Sequence, residues 1–330
     1  MESTPKVSVC MITYNHEAFI RQAVESALMQ KTTFEYEIVV GEDCSTDKTR
    51  ETICEIAGKY PEKIVTNLQK VNVGGAENFL STFAMCKGEY IAILEGDDYW
   101  TDPNKLQKQV EFLESNPDYG MVHTAFRKIF SNSTKPPIYC TGPRPSGNVF
   151  IPLLLNNFIG TLTILVRKDL ALKAVERRGN LQVRGATIVG DYPLWLSIAL
   201  ESKIGYLDMD TAVYRILDGS FTHPKSLRKY LLFQQEGFDI INAFAVFLPD
   251  NDRQRVVRQM KTEFQTTVFK AILEDTSIIN EYKTLLDDFI PGRPSVRLLY
   301  CVVVFCRYNR MVIRTISFLL RLSGVKKLME

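Results

Sequence analysis

The chain is poor in the residues that mark several common enzyme classes. It has only three histidines, His16, His123 and His223. They are too far apart in sequence to form a metal-binding pair. Its seven cysteines form no CxxC pair and no zinc-type spacing, and several lie in apolar runs where a thiol acts as a small hydrophobe. The odd count and the lack of a secretory signal at the start lead us to expect a reducing, cytoplasmic setting. No apolar run reaches the 18 residues expected of a membrane-spanning helix. There is no G-x-G-x-x-G, no Walker A sequence and no G-x-S-x-G, which argues against dinucleotide oxidoreductases, P-loop enzymes and α/β-hydrolases. No internal repeat or low-complexity segment stands out, and no nucleic-acid partner is expected.

What is present is an ordinary globular composition, 45% hydrophobic and 24% charged over 330 residues, with charge distributed unevenly. Residues 291–330 hold eight Lys/Arg and one acid, while 1–290 hold 32 basic and 37 acidic residues, a net of −5. Within the basic stretch, Leu298–Cys306 and Met311–Leu322 are apolar with cationic flanks. Two readings fit this pattern: helices lying on an anionic membrane surface, or helices packed on the domain or on a partner.

The first 130 residues alternate strand and helix signals. Val7–Thr13, Glu35–Val40, Ile64–Asn67, Tyr90–Leu94 and Gly120–Phe130 read as strands. Ala18–Gln30, Thr49–Tyr60, Gly74–Cys86 and Pro103–Ser115 read as the helices between them. This alternation predicts an α/β fold with a mostly parallel, Rossmann-like sheet, whose ligands collect at the carboxyl ends of the strands. Further along, 131–148 reads as a loop, Thr161–Arg167 and Ala212–Ile216 as strands, and Lys168–Arg178 and Tyr192–Lys203 as helices. From about 226 to 289 the pattern is helical. The expected organisation is a catalytic domain over 1–225, a helical extension over 226–290 and the basic tail over 291–330.

The polar motifs fall where strands end. Glu95-Gly96-Asp97-Asp98 places three carboxylates in four residues after an apolar strand, where uncompensated charge is costly. One reading is a Mg²⁺ or Mn²⁺ carrying a diphosphate, because hard cations take one or two carboxylates plus substrate phosphates. The other is a solvated acidic turn capping the helix at Pro103. Asp43 could bond a base or ribose, or cap the next helix. Asn72, Gly74 and Asn78 could let backbone approach a ligand, or form a plain turn. Asp191 could be a helix N-cap or a general base.

Taken in order, VSVCMITYNHEAFIRQAVESALMQ (7–30), EIVVGEDCSTDKT (37–49), NVGGAENF (72–79), GEYIAILEGDDYWTDPNKLQKQ (88–109), GDYPLWLSIA (190–199) and AVYR (212–215) resemble family 2 inverting glycosyltransferases with the GT-A fold. The resemblance covers about residues 1–220. It implies transfer of a sugar from a nucleotide-sugar donor, a UDP-sugar in our reading, to a glycan or lipid-linked acceptor. By this resemblance Thr13, Tyr14, Asn15, Asp43, Asn72, Asn78 and Glu95 would line the nucleotide pocket. Asp97 and Asp98 would hold the divalent metal, Mn²⁺ or Mg²⁺, and Asp191 would be the catalytic base. Tyr99, Trp100 and Arg215 would contact donor or acceptor. The chain departs from the family pattern at Glu95, where Asp is usual, at Gly190, where many members have an acid, and at Leu217, where related members often have His. A sugar nucleotidyltransferase is a rival reading, but Thr13–Phe19 lacks the Gly-rich basic loop it would want. A non-catalytic nucleotide-sugar-binding module is another.

Overall fold

The structure, a computed structural model, describes residues 4–131, 134–180, 190–217 and 226–274. They divide into two compact units, one up to 180 together with 190–217, the other 226–274. His223, the expected boundary near residue 225, the end of the predicted helical stretch and the basic tail lie outside the described residues.

The first unit begins with β1 (Val7–Thr13), α1 (Ile20–Leu28), β2 (Tyr36–Glu42), α2 (Thr49–Lys59), β3 (Ile64–Leu68), α3 (Gly75–Met85) and β4 (Tyr90–Glu95). It continues with β5 (Tyr99–Trp100), α4 (Lys105–Ser115), β6 (Tyr119–Phe130), β7 (Ile138–Cys140) and α5 (Phe150–Leu155). A single 3-10 turn (Thr161–Thr163) leads into β8 (Leu165–Arg167), α6 (Lys168–Asn180), α7 (Tyr192–Glu201) and β9 (Lys203–Ile216). The nine strands form one sheet in the order β3-β2-β1-β4-β8-β6-β9-β5, with β7 paired to β6.

The β3-β2-β1-β4 half is parallel, as expected of strands joined through helices. The other half is mixed. β8 runs antiparallel to both β4 and β6, β5 runs antiparallel to β9, and β6 and β9 pair in parallel. Three expectations are corrected here. Thr161–Arg167 is not one strand, because its first three residues turn. The strand at 212–216 begins nine residues earlier, at Lys203, and the loop at 131–148 contains β7. Such short or long pairings depend on partners distant in sequence, which local periodicity does not encode.

The central strands β1, β2 and β4 are buried along nearly their whole length because helices cover both faces. Val9, Met11, Ile38, Val40, Ala92 and Leu94 join Ile20, Val24 and Ile53 in one core. On α1 the buried residues recur at Ile20, Ala23, Val24 and Ala27, the spacing of a single helical face. The second unit pairs α8 (Leu227–Ala245) with α9 (Asp250–Glu274), and Phe238 stacks on Phe264 with centroids 5.6 Å apart. No helix among the described residues is long and apolar enough to cross a membrane.

One buried group makes the fold acid-sensitive. His123 on β6 is packed between Phe158 and Tyr206, and neither ring nitrogen has a hydrogen-bond partner. Burial, reinforced by the nearby Arg144 charge, lowers its pKa to about 3. The unfolded chain, with an ordinary histidine near 6.5, therefore binds a proton that the folded chain does not in the window from 6.5 down to 3. Stability falls as pH drops through that window, by about 2 kcal/mol at pH 5 from this group alone. His123→Phe is expected to remove that share of the loss. Melting temperatures at pH 7 and pH 5 check it, and an unchanged pH dependence would refute the assignment.

Candidate active site

Three loops meet at the carboxyl edge of the parallel strands. The register places Thr13 opposite Glu42 of β2, and Ile12 opposite Glu95 of β4. Asp43 N–H donates to the Thr13 carbonyl at 3.1 Å, and Gly96 N–H to the Ile12 carbonyl at 2.9 Å. The closeness explains Gly96: a Cβ there would lie 2.4 Å from Thr13 Oγ1 and 3.1 Å from His16 Nδ1. Asn15 and Cys44 hold left-handed backbone, φ 53° and 58°. Asn is one of the few side-chain-bearing residues that accept this conformation readily, and such strain tends to collect at functional loops.

Each expected nucleotide residue has a defined place. Tyr14 is 41% exposed at the mouth of the β1 loop. The Asn15 side-chain carbonyl accepts from Thr46 N–H at 2.8 Å, while its own N–H donates to Ser45 Oγ at 2.9 Å, tying the β1 and β2 loops together. Asp43 is buried, and its two carboxylate oxygens accept from Val73 N–H (2.7 Å) and Gly74 N–H (3.0 Å). The Asn72 amide donates to the Asp43 carbonyl at 3.2 Å. Asp43 thus fixes the turn before α3, where Gly74 has φ 87°. Asn78 is enclosed between α3 and β2, donating to the Gly41 carbonyl at 2.9 Å, so its side chain serves packing rather than a ligand.

The acidic turn is braced from below by Arg215 of β9. Arg215 N–H donates to Asp98 Oδ1 at 2.7 Å, and its guanidinium donates to the Asp97 carbonyl and to Gln22 Oε1. That guanidinium lies between the rings of Phe19 (4.9 Å) and Tyr99 (4.5 Å). Asp98 is buried, and its Oδ2 has no partner. The Asp97 side chain is 22% exposed, with Oδ1 4.0 Å from His16 Nδ1. Burial first, then the neighbouring Asp97 and Glu95 charges, push Asp98 well above the usual carboxylate range. Burial also raises Glu95 to about 8, helped by the charges of Asp97 and Asp191. These are carboxylates crowded together with too little positive charge beside them.

Asp191 opens α7, but its side chain makes no bond to the helix N–H groups. Instead Asp191 Oδ2 accepts from Thr161 Oγ1 at 2.5 Å. The turn that carries Thr161 packs against β4, and the Asp191 charge contributes to the raised pKa of Glu95. Asp191 thus stands at the N-cap position and caps through its backbone carbonyl, which accepts from Leu194 and Trp195 N–H, while its side chain is turned to Thr161.

Trp100 is a correction. It is 1% exposed, with its indole N–H donated to the Leu162 carbonyl at 2.8 Å and Lys105 Nζ 4.3 Å from the ring, so it is an interior residue and touches neither donor nor acceptor. Sequence reasoning missed His16, Gln22 and Thr161. His16 lies three residues past Thr13, and that adjacency was the available signal. Thr161 had none, because it comes into place through a turn 30 residues from Asp191.

Residues 8–171, about half of the chain, match the family description Glycosyl transferase family 2. The chain belongs to that family. Among relatives, an uncharacterized protein of Mycobacterium tuberculosis is 32% identical over 63% of this chain, which spans 58% of that relative's length. The putative teichuronic acid biosynthesis glycosyltransferase TuaG of Bacillus subtilis is 28% identical over 67% of this chain and 83% of its own. In fold, this family 2 member resembles S. aureus TarS 1-349, solved in complex with UDP-GlcNAc, with a TM-score of 0.62 and 16% identity over 97% of this chain and 92% of that one. The mannosyltransferase PcManGT from Pyrobaculum calidifontis, solved with GDP-Man and Mn²⁺, gives a TM-score of 0.53 and 16% identity over 99% and 88% of the two chains. The architecture is the GT-A fold.

Proposed function

We propose that this chain is a metal-dependent inverting glycosyltransferase. It would move a sugar from a nucleotide-sugar, a UDP-sugar in our reading, to a hydroxyl of a cell-surface glycan or lipid-linked acceptor. The observation that carries this reading is Asp191. Its carboxylate makes no capping bond and is held by Thr161, on a turn packed against β4, the strand that ends in the acidic motif. A base and a diphosphate-binding motif at one sheet edge are what a single displacement at an anomeric carbon needs.

Asp191 would take the proton of the acceptor hydroxyl as its oxygen bonds to the anomeric carbon. The bond from that carbon to the diphosphate breaks on the opposite side, and the electron pair leaves with the diphosphate. Thr13, Tyr14, Asn15 and Asp43 would frame the nucleotide at the ends of β1 and β2.

The residues also suit a hard cation. No three His, Cys, Asp or Glu side chains among the described residues stand together closely enough to hold an ion. Mg²⁺ and Mn²⁺ commonly take one or two carboxylates and complete their shell with phosphate and water. Asp97 and the unpartnered Oδ2 of Asp98 would supply those carboxylates, with Glu95 behind them. A bound cation would neutralise charge on the leaving diphosphate. TarS with UDP-GlcNAc and PcManGT with GDP-Man and Mn²⁺ support the donor class, and TuaG supports a role in polysaccharide synthesis.

A thermal-shift screen of UDP-, GDP- and TDP-sugars tests the donor assignment. A UDP-sugar with Mn²⁺ at about 100 times its Kd is expected to stabilise the chain by about 3 kcal/mol, raising Tm by several degrees. No shift with any donor, with or without Mn²⁺, would overturn it.

A further inference from the structure

We propose that Thr161 is a positioning residue for the proton transfer, a role that rests on the reading of Asp191 as the base. Its hydroxyl is 2.5 Å from Asp191 Oδ2, and no other hydrogen bond to the Asp191 carboxylate occurs among the described residues. A carboxylate at a helix start ordinarily turns back to the free N–H groups of the first turn. Asp191 does not, and the Thr161 hydroxyl is what holds it away from them. With Oδ2 occupied, the lone pairs of Oδ1 keep one direction, which is the geometric requirement for accepting a proton from a bound hydroxyl.

The turn that carries Thr161 is fixed on its other side. The Leu162 carbonyl accepts from Trp100 Nε1 at 2.8 Å, and the Thr163 carbonyl accepts from Gln109 Nε2 at 2.8 Å. Thr163 Oγ1 closes back on the Gly160 carbonyl at 2.6 Å. Gln109 in turn accepts from the buried Lys105 Nζ at 2.7 Å. Leu162 and Thr163 are fully enclosed, whereas the Thr161 side chain points to Asp191. Trp100 follows Asp98 by two residues. The chain segment that ends the acidic motif therefore also anchors the turn that orients the base, so the two halves of the site share one support.

The test is donor turnover, read as nucleoside diphosphate release with the best donor of the screen. Thr161→Val keeps the shape and removes the hydroxyl. It is expected to lower kcat about tenfold or more while donor KM stays within about twofold. Thr161→Ser restores the hydroxyl and is expected to recover kcat to within about threefold of the parent chain. In an Asp191→Asn background, Thr161→Val should lower the residual rate no further, because it acts through that carboxylate. An unchanged kcat in Thr161→Val, a Ser variant as slow as the Val variant, or an equal additional loss in the Asn background would each overturn the proposal. Full turnover in Asp191→Asn alone would instead be the failure of the base assignment, so the two failures are distinguishable.

Discussion

Asp191→Asn is expected to lower turnover by about a thousandfold while leaving donor affinity within about twofold of the parent chain. The substitution is nearly isosteric. The amide oxygen can still accept from the Thr161 hydroxyl, so the start of α7 keeps its geometry. What is lost is the negative oxygen able to take a proton from the acceptor. In the proposed reading the donor would be bound from the ends of β1, β2 and β4, through Thr13, Asp43 and the acidic turn, and not through α7. Kinetics with saturating donor, paired with calorimetric donor titration, separate the two effects. Retained turnover would remove Asp191 from the chemistry.

The second large effect belongs to Asp97. Asp97→Asn is expected to reduce donor affinity in Mn²⁺ about a hundredfold, down to the affinity the parent chain shows without metal. The Asp97 side chain is partly exposed, while Asp98 is buried with one oxygen on the Arg215 N–H. Its charge also raises the pKa values of Glu95 and Asp98. Removing that charge relieves repulsion among groups with little solvent to screen them, so the same variant should melt about 2–4 °C higher. Greater stability joined to weaker Mn²⁺-dependent binding is the signature of a site held under electrostatic strain for function. A lower Tm, or a Mn²⁺ effect equal to that of the parent chain, would place the cation elsewhere.

How much of this could be read from the residues differs across the fold. The parallel half was legible because its strands are buried on both faces, so Val7–Thr13 and Tyr90–Leu94 are apolar runs with no alternation to confuse them. The edge where Thr13, Asp43 and Glu95 meet followed from that topology, since parallel strands bring their ends together. The mixed half was legible only in part: Gly120–Phe130 is β6 and Ala212–Ile216 ends β9, as read, but the remaining bounds and the pairings were not. β5 is two residues long, and it exists because Tyr99 and Trp100 find Val213 and Ala212 across the sheet. Trp100 was expected at the ligand from the family resemblance. Strand alternation sends it to the opposite face from Tyr99, into the core. Arg215 was expected to contact donor or acceptor, and its position bracing the acidic turn depends on β9 crossing beneath Asp97 and Asp98. Thr161 depends on a one-turn 3-10 segment whose position is set by Trp100 and Gln109, a tertiary arrangement with no periodicity to detect.

The proposed reaction is one displacement driven by one base, and its stereochemistry is directly observable. Proton NMR of the first sugar product formed from an α-linked nucleotide sugar, recorded before mutarotation, reports the anomeric configuration. With Asp191 as base and no covalent intermediate, the product is β. An α product at the earliest time point would contradict the single-displacement mechanism and the role assigned to Asp191.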